Sequence, residues 1–115
     1  MTNPKRGELQ IVLGAKTYNG RVTIDSVLRI EQACGLSVLK IAQALSEGAL
    51  TTTQIIAILT PVIRGGGNDV NEKDVGNAVW ECGLAEAIKC VGEIVGVILS
   101  AGGNEGNDEG VTANP

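Results

Sequence analysis

The sequence predicts an α+β fold that is mainly α: an N-terminal β-hairpin, about five short-to-medium helices and a disordered acidic tail. Polar and apolar residues alternate near the N-terminus, and apolar residues then recur every three or four positions over most of the chain. The last residues are rich in glycine and acidic side chains and almost lack apolar ones. Since 115 residues suit one core, we expect a single domain over residues 1–101 and a disordered tail over 102–115.

The hairpin is predicted from two alternating runs that a Gly14-Ala15-Lys16 turn separates. Six residues of matching parity form the expected inward faces: Leu9, Ile11 and Leu13 in the first run, and Tyr18, Val22 and Ile24 in the second.

The first two helices are predicted from capping residues and helical spacing. Thr23 and Asp25 are cap-type residues before a helix over about 25–34 that stops at Gly35. Its inward positions are Val27, Leu28, Ile30 and Cys34. Ser37 caps a second helix that ends at Gly48, with Val38, Ile41, Ala42 and Leu45 inward.

The third helix has a capping box, Thr51 with Gln54, followed by a strongly apolar run. Pro61 lies inside this run. A proline lacks the N–H group and clashes with the preceding turn, so we expect a kink there, or a break that costs about 3 kcal/mol if helix is forced through it. The glycines at 65–67 end the segment.

Two further helices follow. Asn71 and Asp74 form a cap-like pair before a short fourth helix, which Gly76 weakens and Gly83 ends. The fifth helix, over about 84–100, is the longest. Gly92 and Gly96 within it indicate close helix packing. Its expected core stripe consists of Leu84, Ala87, Ile88, Val91, Val95, Ile98 and Leu99.

Cys90, Ile94 and Val97 lie beside that stripe and widen the apolar arc of the fifth helix to about 200°. Either helices two and three cover this surplus within the domain, or it is a flank offered to a partner helix. On the second interpretation these three residues, together with Arg64 and Trp80, are the candidate partner-binding residues.

Composition argues against catalysis. The chain has no histidine, which removes the commonest general base and metal ligand. Three cysteines without a C-x-x-C spacing indicate buried thiols of a reducing compartment, too few for a four-ligand zinc site. The glycine-rich segments fit neither a phosphate loop nor a calcium loop. We therefore expect no enzyme activity, no catalytic residues, no metal and no cofactor.

The sequence shows neither a secretory signal nor an apolar stretch long enough to span a membrane. The first residues lack a secretory signal, and the longest strongly apolar stretch, 91–99, is far shorter than the roughly 20 residues of a membrane span. We expect no membrane partner.

Residues 38–59 have the outline of a helix-turn-helix, which makes a transcription regulator one alternative. A recognition helix needs Arg, Lys, Asn or Gln to reach bases and phosphates. Residues 51–63 offer Gln54 and three threonines, and the net charge is −4. An acidic chain without a basic stripe is a poor match to DNA, so we expect no nucleic-acid partner.

The order of short motifs along the chain indicates a family. After the hairpin come Ile30-Glu31, Gly35, Leu36-Ser37, Leu45-x-x-Gly48-x-Leu50, a helix ending in Arg64-Gly65-Gly66-Gly67, the acidic cap, Gly83-Leu84 and a final apolar helix with a polar tail. This order resembles the tail assembly chaperone group, the small proteins that gene transfer agents and related long-tailed phages encode just before the tape measure protein. The resemblance covers about residues 7–101, and Arg64-Gly-Gly-Gly is its most specific piece.

The resemblance implies a protein that binds the tape measure protein, keeps it soluble and assists assembly of the tail tube. Expected partners are the tape measure protein, the tail tube protein and a second copy of the chain. The expected location is the bacterial host cytoplasm and not the mature particle. A structural tail component retained in the particle is the first alternative, and the helix-turn-helix regulator is the second.

Overall fold

A computed structural model describes residues 6–104, and side chains over 6–100. The elements are β1 (Glu8–Leu13), β2 (Lys16–Arg21), α1 (Ile24–Cys34), α2 (Val38–Ser46), α3 (Thr52–Gly65), α4 (Glu72–Cys82) and α5 (Leu84–Asn104). The predicted hairpin followed by five helices is confirmed. Helix α5 takes in the first three residues of the predicted tail, and residues 105–115 lie outside the described part of the chain.

The hairpin is antiparallel, with Leu13 paired to Lys16 across a tight turn in which Gly14 has φ 65°. The inward face of β1 is buried as predicted, at Leu9, Ile11 and Leu13. The predicted inward position of Ile24 is wrong. The Thr23 hydroxyl accepts a hydrogen bond from the Ser26 amide, and the Ser26 hydroxyl accepts one from the Thr23 amide. This capping box starts α1 and leaves Ile24 74% exposed.

Reciprocal capping boxes also begin α3 and α4, as predicted. The Thr51 hydroxyl pairs with the Gln54 amide, and the Asn71 side chain pairs with the Asp74 amide. Ser37 caps α2 by accepting from the Lys40 amide. These bonds satisfy N–H groups that the first turn of a helix otherwise leaves without partners.

Helix α3 is the central element, because it has seven buried residues, more than any other helix over the described side chains, and contacts β2, α1, α4 and α5. The helix continues through Pro61, so the break considered from the sequence does not occur. Its buried side chains surround the proline and include Ile58, Leu59, Val62 and Ile63. Burying each large aliphatic side chain contributes about 1.5–3 kcal/mol, so together they outweigh the roughly 3 kcal/mol cost of an internal proline.

The end of α3 packs directly against the backbone of β2. A Cβ atom at Gly65 would lie 2.6 Å from the carbonyl oxygen of Arg21, and one at Gly66 would overlap the carbonyl oxygen of Asn19. Only glycine permits this approach. The side-chain amide of Asn68 then donates to the Asn19 carbonyl at 2.7 Å and to the Ile63 carbonyl at 2.9 Å. The end of α3 is thereby joined to the hairpin edge.

Helix α5 packs against β1, α2, α3 and α4. Its buried residues are Ala87, Cys90, Val91, Ile94 and Val95. At 100° per residue, their centre is turned by about 50° from the predicted stripe, toward Cys90 and Ile94. Three residues predicted to be in the core are consequently exposed: Leu84 (45%), Ile88 (41%) and Leu99 (50%). Leu28 of α1, also predicted inward, is 57% exposed.

None of the described helices combines the length and the apolar character needed to cross a membrane.

The contact between α3 and β2 predicts a strong effect of Gly66→Ala. The added methyl group would meet the backbone of Asn19, which cannot rotate away, so we expect a loss of about 1–3 kcal/mol in the free energy of unfolding. Urea denaturation followed by circular dichroism measures it. The matched control is Gly76→Ala within α4, where a Cβ would lie 3.4 Å from a flexible Ile56 methyl group. This control should equal or exceed wild-type stability because alanine favours helix. Equal stability of the two variants would contradict the proposed packing.

The orientation of α5 predicts opposite outcomes for two neighbouring substitutions. Ile94 is fully buried, so Ile94→Asp places an unpaired carboxylate in the core. This costs several kcal/mol, against a typical domain stability of about 5–15 kcal/mol, and we expect an unfolded chain. Ile88→Asp changes an exposed side chain and should leave the circular dichroism spectrum and thermal midpoint nearly unchanged. A folded Ile94→Asp protein would show that this side of α5 is not internal.

Candidate functional site

The five candidate partner-binding residues do not share one surface. Cys90 and Ile94 are buried, Val97 is half-buried, and Arg64 and Trp80 are exposed. The flank of α5 at Cys90 and Ile94 is therefore covered within the chain itself, which is the first of the two alternatives drawn from the sequence. A direct partner contact at these two side chains would require the domain to open.

Cys90 faces the hairpin, where its thiol donates to the Val12 carbonyl at 3.2 Å. Burial raises the pKa of the Cys90 thiol above its ordinary value. Burial likewise raises the pKa of Cys34, and burial followed by the Glu86 carboxylate raises the pKa of Cys82. All three thiols are free, and their raised pKa values lower the fraction present as thiolate, the nucleophilic form.

Arg64 is among the residues that line a groove of about 660 Å³ between α1, α3 and the start of α4. Within the groove lining, Arg29 pairs with Asp25 at 2.7 Å on the exposed surface of α1. The wall also includes Ala57 and Pro61. Arg64 sits in the last turn of α3, where a cation interacts favourably with the helix dipole.

Two hydroxyl groups in this groove already have structural partners. The Ser26 hydroxyl donates to the Thr23 carbonyl at 2.8 Å, and the Thr60 hydroxyl donates to the Ile56 carbonyl at 2.8 Å. Each is used within a helix of the groove wall, and neither is paired with a base. Over the residues whose side chains are described, no three Cys, Asp or Glu side chains converge as metal ligands would.

Helix α3 is not available as a DNA recognition helix. From Gln54 to Ile63 every residue is buried or half-buried, because other elements surround the helix. A recognition helix must present several side chains to base edges in the major groove. The sequence of α3 resembles that arrangement only because it follows α2 after a short turn.

Exposed large apolar side chains lie elsewhere, on the hairpin and on α1, α2, α4 and α5. Trp80 is 88% exposed, and Leu84 and Ile88 follow it across the break at Gly83. Trp80 was a candidate from the sequence, whereas Leu84 and Ile88 were assigned to the core. Their position could have been inferred from Gly92 and Gly96, which occupy the same side of α5 and contribute no side chain to a core.

The environment of the thiols predicts slow alkylation. At pH 8 we expect iodoacetamide to leave Cys90 unmodified in the folded protein over a time in which the urea-unfolded chain reacts fully. The raised pKa lowers the thiolate fraction at this pH, and burial excludes the reagent. The rate should increase with pH as the thiol ionises. Peptide mass spectrometry measures each cysteine separately, and equal rates at Cys90 in the folded and unfolded states would refute the assignment.

Comparison with known proteins identifies the family to which the chain belongs. No curated protein and no solved structure matches the chain. A family model described as phage tail tube protein, GTA-gp10, matches residues 6–101. This match covers both strands and nearly all of the helical region. It supports the relation to tail proteins of phages and gene transfer agents that the resemblance implied. Its description names a tail tube protein and not a chaperone. Because the match spans most of the chain, the protein belongs to this family of phage and gene transfer agent tail proteins.

Proposed function

We propose that the protein is a tail assembly chaperone, which binds the tape measure protein in the host cytoplasm and leaves before the particle is complete. Membership of a tail family supports a role in tail formation. The order of features from the hairpin to the Arg64-Gly-Gly-Gly motif resembles the chaperone group. On this proposal the protein acts by binding and carries out no chemical reaction.

The observation that carries the proposal is the exposure of Trp80. The chain has one tryptophan and one tyrosine, and its core is built from aliphatic side chains. Trp80 nevertheless remains 88% exposed on α4. Tryptophan is the residue type most enriched among binding hot spots, since its large apolar surface gains much when a partner covers it. An exposed tryptophan, followed along the chain by the exposed Leu84 and Ile88, suits a protein whose task is to cover an apolar client.

Charge indicates the kind of client segment. Between residues 72 and 100 the chain carries five acidic residues, Glu72, Asp74, Glu81, Glu86 and Glu93, against two basic residues, Lys73 and Lys89. An excess of acidic residues in the segment that carries Trp80, Leu84 and Ile88 favours an apolar client segment that also carries Lys or Arg. We propose that the client binds this surface as an amphipathic helix.

A tail tube subunit is the second candidate, and the description of the matching family favours it. Such a subunit would stay in the particle in many copies, whereas a chaperone would leave. Quantitative mass spectrometry of purified particles separates the two candidates. A copy number comparable to that of the most abundant tail protein would reject the chaperone proposal.

Binding is tested by co-expressing the chain with its tape measure protein and measuring co-purification. Trp80→Ala should weaken binding at least about tenfold, equivalent to about 1.4 kcal/mol, because a hot-spot side chain is truncated. Its thermal midpoint should stay close to that of the wild type, since the side chain is exposed. Leu28→Ala on α1, also exposed, is the matched control and should bind normally. Unchanged binding by Trp80→Ala would contradict the assignment of this surface.

A further inference from the structure

Strand β2 contains an Asn19-Gly20 pair, a dipeptide that is more typical of hairpin turns than of strand interiors. The turn of this hairpin is formed at Gly14 instead, so the pair lies inside β2. Gly20 is buried, and a Cβ atom there would lie 3.0 Å from the Ile11 side chain and 3.1 Å from the Val62 side chain. Packing therefore accounts for the glycine, and an asparagine stands directly before it.

An Asn-Gly pair has a chemical reactivity that depends on its conformation. The backbone nitrogen of Gly20 can attack the side-chain carbonyl carbon of Asn19, which forms a C–N bond and closes a five-membered succinimide ring. The bond from that carbon to Nδ2 breaks, and the amide proton of Gly20 passes through solvent to the departing amine, which leaves as ammonia. Water then opens the ring at either carbonyl and gives aspartate or isoaspartate. Glycine favours the attack because it has no side chain to obstruct it and its backbone rotates freely.

The fold occupies the attacking nitrogen in a hydrogen bond between the strands. Hydrogen-bonded and non-hydrogen-bonded pairs alternate along an antiparallel ladder. The Val22 amide donates to the Gly7 carbonyl at 2.7 Å. The next hydrogen-bonded pair, two positions further along each strand, is Leu9 with Gly20. The N–H group of Gly20 therefore points to β1 and donates to the Leu9 carbonyl.

The other end of the same peptide unit is held on the outer edge of β2. The Asn19 carbonyl accepts from the Asn68 side chain at 2.7 Å, and the backbone of Gly66 packs against the same oxygen. Succinimide formation requires rotation about the Cα–C bond of Asn19, away from the extended conformation of a strand. That rotation turns the whole peptide unit, so it breaks the bonds to Leu9 and Asn68 together.

We propose that Asn19 is a deamidation site that the native hairpin keeps closed, and that the reaction follows only when β2 separates from β1 and from the end of α3. Proteins open locally in this way at a free energy no greater than that of global unfolding. Isoaspartate adds one atom to the backbone of β2, at the place where Gly66 leaves no space between the two backbones. A strand that has reacted to isoaspartate cannot regain its register, so the product permanently marks a chain whose hairpin has opened.

The reaction is measured on the tryptic peptide 17–21, which cleavage after Lys16 and Arg21 releases and in which Asn19 is the one asparagine. At pH 8 the folded protein should deamidate at least about a hundredfold more slowly than the chain unfolded in guanidinium chloride, because the open state is rare. A synthetic peptide 17–21 gives the unconstrained rate and should match the unfolded chain. Mass spectrometry detects the exchange of NH2 for OH, and chromatographic retention separates isoaspartate from aspartate.

Asn68→Ala tests the bond on the outer edge of β2. Loss of this hydrogen bond makes opening more frequent, so the rate in the folded protein should rise about fivefold. Asn77→Ala changes an exposed asparagine of α4, and this matched control should leave the rate unchanged. Circular dichroism checks that both variants are folded.

Four results would overturn the proposal. Equal rates in the folded and unfolded wild-type chains would show that the fold does not close the site, and this comparison decides even if Asn68→Ala does not fold. A peptide 17–21 that keeps its amide would show that the site is unreactive. A folded Asn68→Ala protein that reacts no faster than the wild type would show that the outer bond does not hold the peptide unit. Equal acceleration by Asn77→Ala would show a general loss of stability.

Discussion

The close approach of the α3 C-terminus to the backbone of β2 is the constraint on which the rest of the structure depends. Gly65 and Gly66 have no side chains to separate the two backbones, and Asn68 bridges to the Asn19 carbonyl. A two-stranded hairpin is marginally stable alone in water and needs a packed face. This contact supplies one side of that support, and it gives the Arg64-Gly-Gly-Gly motif a packing role beyond ending a helix.

The position of α3 determines which surfaces the other helices bury. Because α3 occupies the centre, α5 must cover the hairpin from the β1 side, where Cys90 bonds to Val12. That contact turns Cys90 and Ile94 inward. The opposite side of α5, with Ile88 and Leu99, is left facing solvent. The apolar surface available for binding is thus a consequence of how the core is closed.

The hydroxyl and thiol groups differ from Trp80 in how far the fold already uses them. The described hydroxyl groups of the groove donate to nearby backbone carbonyl groups, and burial raises the pKa of each thiol. These groups therefore already have structural roles within the chain. Trp80, in contrast, makes little use of its large apolar surface within the chain. Both functions considered for this tail protein, the chaperone and the tube subunit, require such a surface, and they differ in whether the contact is released.

The sequence by itself determined the elements whose causes are local. Capping boxes at Thr51 and Asn71, the alternation along β1 and the apolar spacing of the helices depend on residues within a few positions of each other, and these predictions were confirmed. Of the candidate partner-binding residues, Arg64 and Trp80 are exposed, whereas Cys90 and Ile94 are buried.

The tertiary structure decided which side of α1 and of α5 is inside. Helix α5 is apolar over an arc wider than its neighbours can cover, so periodicity alone could not choose between Ile94 and Ile88. Apolar periodicity likewise did not decide that Leu28 is exposed. Ile24 is exposed because the capping box of Thr23 and Ser26 makes it the first residue of α1 instead of a strand residue. The continuation of α3 through Pro61 depended on burial by four surrounding elements. These outcomes follow from contacts between residues far apart in the chain, whose free energies exceed the local preferences that a sequence displays.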